Sequence, residues 1–180
     1  MKSPRRGQLA LALIPECPLR TLTFPAPVPA ARARTNGARR FHPEDSAYAR
    51  WREEAAIAIR RQWVAAPLVG PVELKVVFIL ARPETRPTWC PKDVWASGAR
   101  FRHAPGCGPD VDNFLKAVMD ALQMPRELRT VKGADFGWPL RDDGAVAVSA
   151  QEKWIASSTE AARTVVGIRA VGWTEVFLGR

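Results

Sequence analysis

Apolar residues recur along this chain at two periods, and the two periods separate helices from strands. Tyr48, Trp51, Ala55, Ile59 and Trp63 are spaced by three and four, the stripe of a helix that Asp45 or Ser46 can cap and that runs to about Val64. Phe114, Leu115, Val118, Met119 and Leu122 make a second helical stripe. Leu19 to Phe24 alternates as a strand, stopped by Pro25, Pro27 and Pro29. After Pro67 and Gly70-Pro71, Val72 to Ala81 alternates in its first half and is continuously apolar in its second, as a central strand is. Val146 to Ile155 and Thr164 to Val171 read as two more strands, joined by a polar link. Arg82 to Gly108 reads as a long loop with a short extended segment. The order β, α, β, α, β, β predicts a single α+β domain, with a mixed β-sheet and helices packed mainly on one face. That domain spans residues 19–180, and residues 1–18 read as a basic N-terminal arm.

Composition narrows the partners. An apolar fraction of 47% and seven tryptophans argue for a packed core. A formal net charge of +9 favours a polyanion, nucleic acid before an anionic membrane surface, although a merely basic protein carries the same charge. No apolar run approaches the roughly 20 residues that span a bilayer. Cys17, Cys90 and Cys107 are odd in number and lack a Cys-x-x-Cys pair, so they read as reduced thiols of a cytoplasmic protein. Zinc on Cys90, Cys107 and His103 would need a ligand spacing that is absent. Arg32, Arg34, Arg39 and Arg40 flank an Asn36-Gly37 turn in an exposed basic loop, either simply solvated or placed to hold a phosphate backbone.

The chemistry concentrates at Gly108-Pro109-Asp110-Val111-Asp112-Asn113-Phe114-Leu115-Lys116-Ala117-Val118-Met119-Asp120-Ala121-Leu122. Pro109 keeps a helix from starting earlier. An extended Asp110–Asp112 would point both carboxylates to one side, with Asp112 or Asn113 as N-cap. Asn113, Lys116 and Asp120 fall on a face away from the apolar stripe. Asp-x-Asp-Asn before a helix is ordinary capping chemistry, and Lys116 with Asp120 is an ordinary i,i+4 pair worth about 0.2–0.5 kcal/mol. Two neighbouring carboxylates also repel unless a cation sits between them, and Mg²⁺ takes one or two carboxylates while keeping waters for a phosphate.

The full stretch resembles the signature of the RusA family of Holliday-junction endonucleases: Asp-x-Asp-Asn, x-x-Lys, x-x-x-Asp-Ala-Leu, then an Asp-Asp pair entering a strand. Here that pair is Asp142-Asp143, before Ala145-Val146-Ala147-Val148. The resemblance implies a RusA-like fold and a Mg²⁺-dependent nuclease, with Mn²⁺ as the alternative ion. Asp110, Asp112 and Asp143 would be the metal ligands and Lys116 the catalytic cation, with Asn113 and Asp120 in support. It implies branched DNA as partner, met by Arg32, Arg34, Arg39, Arg40, Arg100 and Arg102, a homodimer, and a prokaryotic or phage cytoplasmic setting in DNA recombination and repair. The sequence departs from the pattern after Leu122, where nineteen residues precede Asp142 and a glutamine often found after the pair is missing. Asp142, and then Asp135, are therefore the alternatives to Asp143. The same departure leaves open a non-catalytic DNA-binding protein with this fold, and the motif does not separate four-way junctions from other branched DNA.

Overall fold

The computed structural model describes residues 18–26, 28, 34–36, 39–41, 47–104, 106, 110–134, 136–172 and 176. The expected N-terminal arm, the expected caps Asp45 and Ser46, and Arg32, Cys17, Cys107 and Asp135 lie outside them. Strands β1 (Arg20–Pro25), β4 (Val72–Leu80), β5 (Phe101–Arg102), β6 (Val146–Ile155) and β7 (Arg163–Ala170) form one sheet in the order β1-β7-β4-β6-β5. β4 pairs parallel to β6 and antiparallel to β7, β1 pairs antiparallel to β7, and β5 antiparallel to β6, so the sheet is mixed. A separate antiparallel pair is formed by β2 (Arg34–Asn36) and β3 (Arg39–Phe41), while Gly37 of the expected Asn36-Gly37 turn lies outside the described residues.

Helices α1 (Ala47–Gln62) and α3 (Val111–Leu122) cover one face of the sheet. The strands alternate accordingly. Leu22 and Phe24 of β1, Val72, Leu74, Val76 and Phe78 of β4, and Val166 and Ile168 of β7 are buried against the helices. The five-residue stripe of α1 is buried throughout. On α3 the buried face is Phe114, Ala117, Val118, Ala121 and Leu122, while Leu115 and Met119 are half-buried. A reading keyed to large apolar residues overlooks two alanines that reach the core because they are small.

The opposite sheet face carries ion pairs. Glu73 and Arg169 are direct cross-strand neighbours and bond at 2.5 Å, with Lys75 at 3.2 Å from the same carboxylate. Edge strand β1 is blunted from α1: the Gln62 amide accepts from Thr23 N–H at 2.9 Å and donates to Thr23 C=O at 2.7 Å. The long segment after β4 is packed. The Arg82 guanidinium donates to the carbonyls of Ala99 and Trp95 and lies 4.1 Å from the centre of the Trp95 ring, beside a small cluster of Cys90, Phe101 and Ile155. This segment also holds the short helix α2 (Lys92–Ala96). Cys90 is buried in that cluster, which removes it as an accessible zinc ligand. No helix among the described residues is long and apolar enough to cross a membrane.

The parallel pairing of β4 with β6 has a structural consequence: two parallel neighbours need a long crossover. That crossover contains α2, β5, α3 and the segment 123–145, and with them every acid of the motif.

Glu73 yields a pH test. Its carboxyl is held below the ordinary value of 4.5, chiefly by the bond from Arg169, against the opposing effect of burial. A depressed folded-state pKa gives stability that is present above the unfolded value and lost as pH falls through the folded one. The stability gap between wild type and Glu73→Gln should therefore be widest near neutral pH and close progressively below about pH 4.5. Urea unfolding at a series of pH values measures it. A gap that is the same at acidic and neutral pH would remove this ion pair from the balance.

Candidate active site

The motif acids flank the start of α3. Asp110 is extended (φ −62°, ψ 139°) and occupies the N-cap position, yet its side chain makes no capping bond. Asp112 lies inside the first helical turn, so the expected extended Asp110–Asp112 pair, and capping by Asp112 or Asn113, are corrected. The helix begins two or three residues earlier, and Val111 already packs against the core. Negative charge at this end is favoured by the unpaired N–H groups and the helix dipole. Both carboxylates are exposed, and among the described residues no hydrogen bond or ion pair takes them up.

From Asp112 a polar stripe continues along α3 at i+4 spacing through Lys116 to Asp120. Lys116 Nζ stands 3.3 Å from Asp120 Oδ1. Asp120 also accepts from the Tyr48 hydroxyl of α1 at 2.6 Å and from Gln123 Nε2 at 3.3 Å. The supporting role expected of Asp120 thus has a concrete form: it fixes Lys116 and joins the two helices. Burial, then the bond to Asp120, pushes the Tyr48 phenol well above its ordinary value of 10. The sequence reading places Tyr48 in the apolar stripe only; its contact with Asp120 joins residues 72 positions apart.

Beyond Asp120 the surface opens into a cleft of about 490 Å³ between α1, the end of α3 and the segment after it. Arg52, Lys116, Asp120, Arg126, Arg129 and Asp143 are among the side chains on its walls. Asp142 and Asp143 do not lead straight into a strand; Asp142 caps a 3-10 turn, Asp143–Ala145. Asp142 Oδ1 accepts from Gly144 N–H at 3.0 Å and Oδ2 accepts from Arg129 Nη1 at 2.6 Å. The Gly144 bond, with Arg129 next, holds the Asp142 carboxyl below its ordinary range. Asp143 is left as the member of the pair on the cleft wall.

The expected trio of metal ligands is not assembled. Among the described residues no three carboxylate, imidazole or thiolate side chains are grouped so as to hold a metal ion. Asp110 and Asp112 offer two unspent hard oxygen donors at the head of α3, which suits an ion such as Mg²⁺ that binds through one or two carboxylates and keeps its waters. Asp143 stands on the cleft with Lys116 and Asp120 instead.

The arginines expected at DNA divide into three groups. Arg34, Arg39 and Arg40 belong to the β2–β3 pair. Arg100 pairs with Glu160, and Arg102 pairs with Glu152 at 2.9 Å and lies 5.2 Å from the Trp154 ring centre. Exposed pairs of this kind hold the side chains weakly, worth about 0–1 kcal/mol. Arg52 and Arg126 are exposed cations on the cleft walls that the sequence reading left aside; their charge alone was the signal, since nothing in the sequence places them beside Lys116.

Residues 25–127 match the family model described as Endodeoxyribonuclease RusA. That span includes α1, β4 and the whole motif of α3, and ends inside the segment that follows α3. No curated protein matches the chain.

Tyr48 is the chain's one tyrosine, so its ionisation can be followed directly by absorbance. In the folded protein no tyrosinate signal should develop near pH 10, where the unfolded chain titrates at about 10. Tyr48→Phe should lower unfolding stability by about 1.5–3 kcal/mol, the range for a hydrogen bond to a charged group. A tyrosine that ionises at its ordinary pH in the native protein would contradict the bond to Asp120.

Proposed function

The chain belongs to the RusA endodeoxyribonuclease family, and on that premise we propose that it is a Mg²⁺-dependent endonuclease that cuts four-way DNA junctions. The observation that carries the proposal is the placement of Asp110 and Asp112, two exposed carboxylates without a structural partner, at the head of a stripe that leads through Lys116 into a cleft.

Asp110 and Asp112 would hold Mg²⁺, or Mn²⁺ in its place. When bound, the ion would supply charge neutralisation at the scissile phosphate and a water of lowered pKa. Lys116, fixed by Asp120, presents its ammonium at the cleft mouth, where it can receive a phosphate oxygen or balance charge on the leaving oxygen. Asp143 would be the third acid of the site; it lines the same cleft as Lys116. Asn113 lies in the first turn of α3, where it would support the acids at the helix start. The basic β2–β3 pair, with Arg100, Arg102, Arg52 and Arg126, would contact phosphates and position the DNA without reading its sequence. A junction of near two-fold symmetry needs two matched cuts, which a C₂ homodimer would supply. The protein would act in recombination and repair in a prokaryotic or phage setting.

A second reading has one observation in its favour. Because no three acids among the described residues are grouped as a metal site, a DNA-binding protein without catalysis fits the same surface. Cutting decides between them. A synthetic four-way junction, incubated with the protein and Mg²⁺, should be cleaved at paired positions, and EDTA should stop it. Asp110→Asn and Asp112→Asn should each lose cleavage while junction binding persists, since a charge is removed but little volume. Asp143→Asn should be far more damaging than Asp142→Asn. Binding without cutting under every metal tested would establish the second reading.

Binding should also weaken steeply with salt, log affinity falling against log salt with a slope of about 0.9 per neutralised phosphate. An affinity for junction DNA that stays level between low and moderate salt would take the arginines away from the DNA.

A further inference from the structure

The segment after α3 is where this chain departs most from the family pattern, and Arg129 lies past the end of the family match at residue 127. We infer that Arg129 is a positioning residue of the nuclease site: by holding Asp142 it presents Asp143 alone to the cleft and sets its place relative to Lys116. The inference rests on the nuclease reading given above.

The bonds form an unbroken series. Asp120 accepts from Lys116 and from Gln123 Nε2. Gln123 Oε1 accepts from Arg129 Nη2 at 3.3 Å, and Arg129 Nη1 donates to Asp142 Oδ2. Arg129 Nε also reaches Met124 C=O at 3.4 Å, and the Arg129 carbonyl receives Arg141 Nη2 at 3.4 Å. Met124 itself is fully buried, and its N–H donates to Leu140 C=O at 2.9 Å, so the base of the series is anchored in the core. A lone surface ion pair would count for little, but the Arg129 side chain is only 22% exposed and all three of its donor nitrogens are engaged.

The consequence for the acid pair is specific. Both Asp142 oxygens are occupied, one by Gly144 N–H and one by Arg129. Asp142 cannot turn to the cleft without giving up both bonds, and the 3-10 turn it caps carries Asp143. Two adjacent free carboxylates would compete for one place beside Lys116; Arg129 removes one of them. The long link is then a structural part of the site, tying the end of α3 to its third acid.

The test compares wild type, Arg129→Gln, Arg129→Lys, Asp142→Asn and the double variant Arg129→Gln/Asp142→Asn. Three quantities are measured: single-turnover cutting of a synthetic four-way junction, junction affinity without metal, and metal-free Tm. Arg129→Gln and Asp142→Asn should each cut about tenfold slower at unchanged junction affinity, as the misplacement of a reacting group does. The double variant should be no slower than either single one, because both remove the same bond. Arg129→Lys should recover part of the lost rate. An Arg129→Gln protein that cuts as wild type does would overturn the inference. So would additive effects in the double variant, or a loss of rate matched by equal losses of Tm and junction affinity. A wild type that cuts no branched DNA overturns the nuclease reading and the inference with it, whereas a wild type that cuts no faster than Arg129→Gln overturns the inference alone.

Discussion

One partly buried carboxylate holds the functional half of this molecule together. Asp120 faces the seam between α1 and α3, where an unpaired charge would be costly. Three donors meet it there: the Tyr48 hydroxyl from α1, and Lys116 and Gln123 from α3 and its end. The same group therefore docks the helices and aims the lysine. Removing the carboxylate would leave the buried Tyr48 hydroxyl without its partner, so the packing of the helices and the placement of Lys116 depend on one side chain.

The sheet supplies the platform for this arrangement by treating its two faces differently. The helix face is apolar along β1, β4 and β7, and the far face carries the Glu73–Arg169–Lys75 group. Helices on one face only leave their outer surfaces to solvent, and the outer surface of α1 and α3 is where charged residues collect into a cleft. Basic and acidic side chains alternate on its walls. Such a surface can receive a phosphate backbone and still keep acids at hand for a cation.

How much of this could be read from the sequence depended on the distance over which each feature is decided. The stripe of α1 and the alternation of β4 are local patterns, and both were legible residue by residue. The short strands β2 and β3 were not legible, because neither carries an apolar alternation. The motif of α3 marked the family and pointed to Asp110, Asp112 and Lys116, but it misplaced the helix start by two or three residues, because capping residues were assumed to use their side chains. Leu115 and Met119 were expected in the core on size, and alanines took their place at the buried face. The choice of Asp143 over Asp142 rested on its match to the family pattern; that Asp142 is taken up by a 3-10 turn and by an arginine thirteen residues away could not be read from that pattern. The pairs Arg100–Glu160 and Tyr48–Asp120 join residues far apart in sequence, and periodicity carries no information about such partners.

The sheet order bears on when the molecule can become active. β7, the last of the described strands, lies between β1 and β4, and among the described residues β1 has no other strand beside it. Residues 20–25 therefore wait for residues 163–170 before they can pair. The parallel partner of β4 is likewise more than sixty residues downstream, with the motif acids in between. Contacts of such separation fold slowly, since loop closure must precede any gain from pairing. A ribosome-bound chain that has emerged only as far as Leu122 carries Asp110, Asp112 and Lys116 but neither strand, β6 or β7, that pairs with β4. For a protein of this family, that ordering would keep a potential DNA-cutting site unassembled until translation has passed β7.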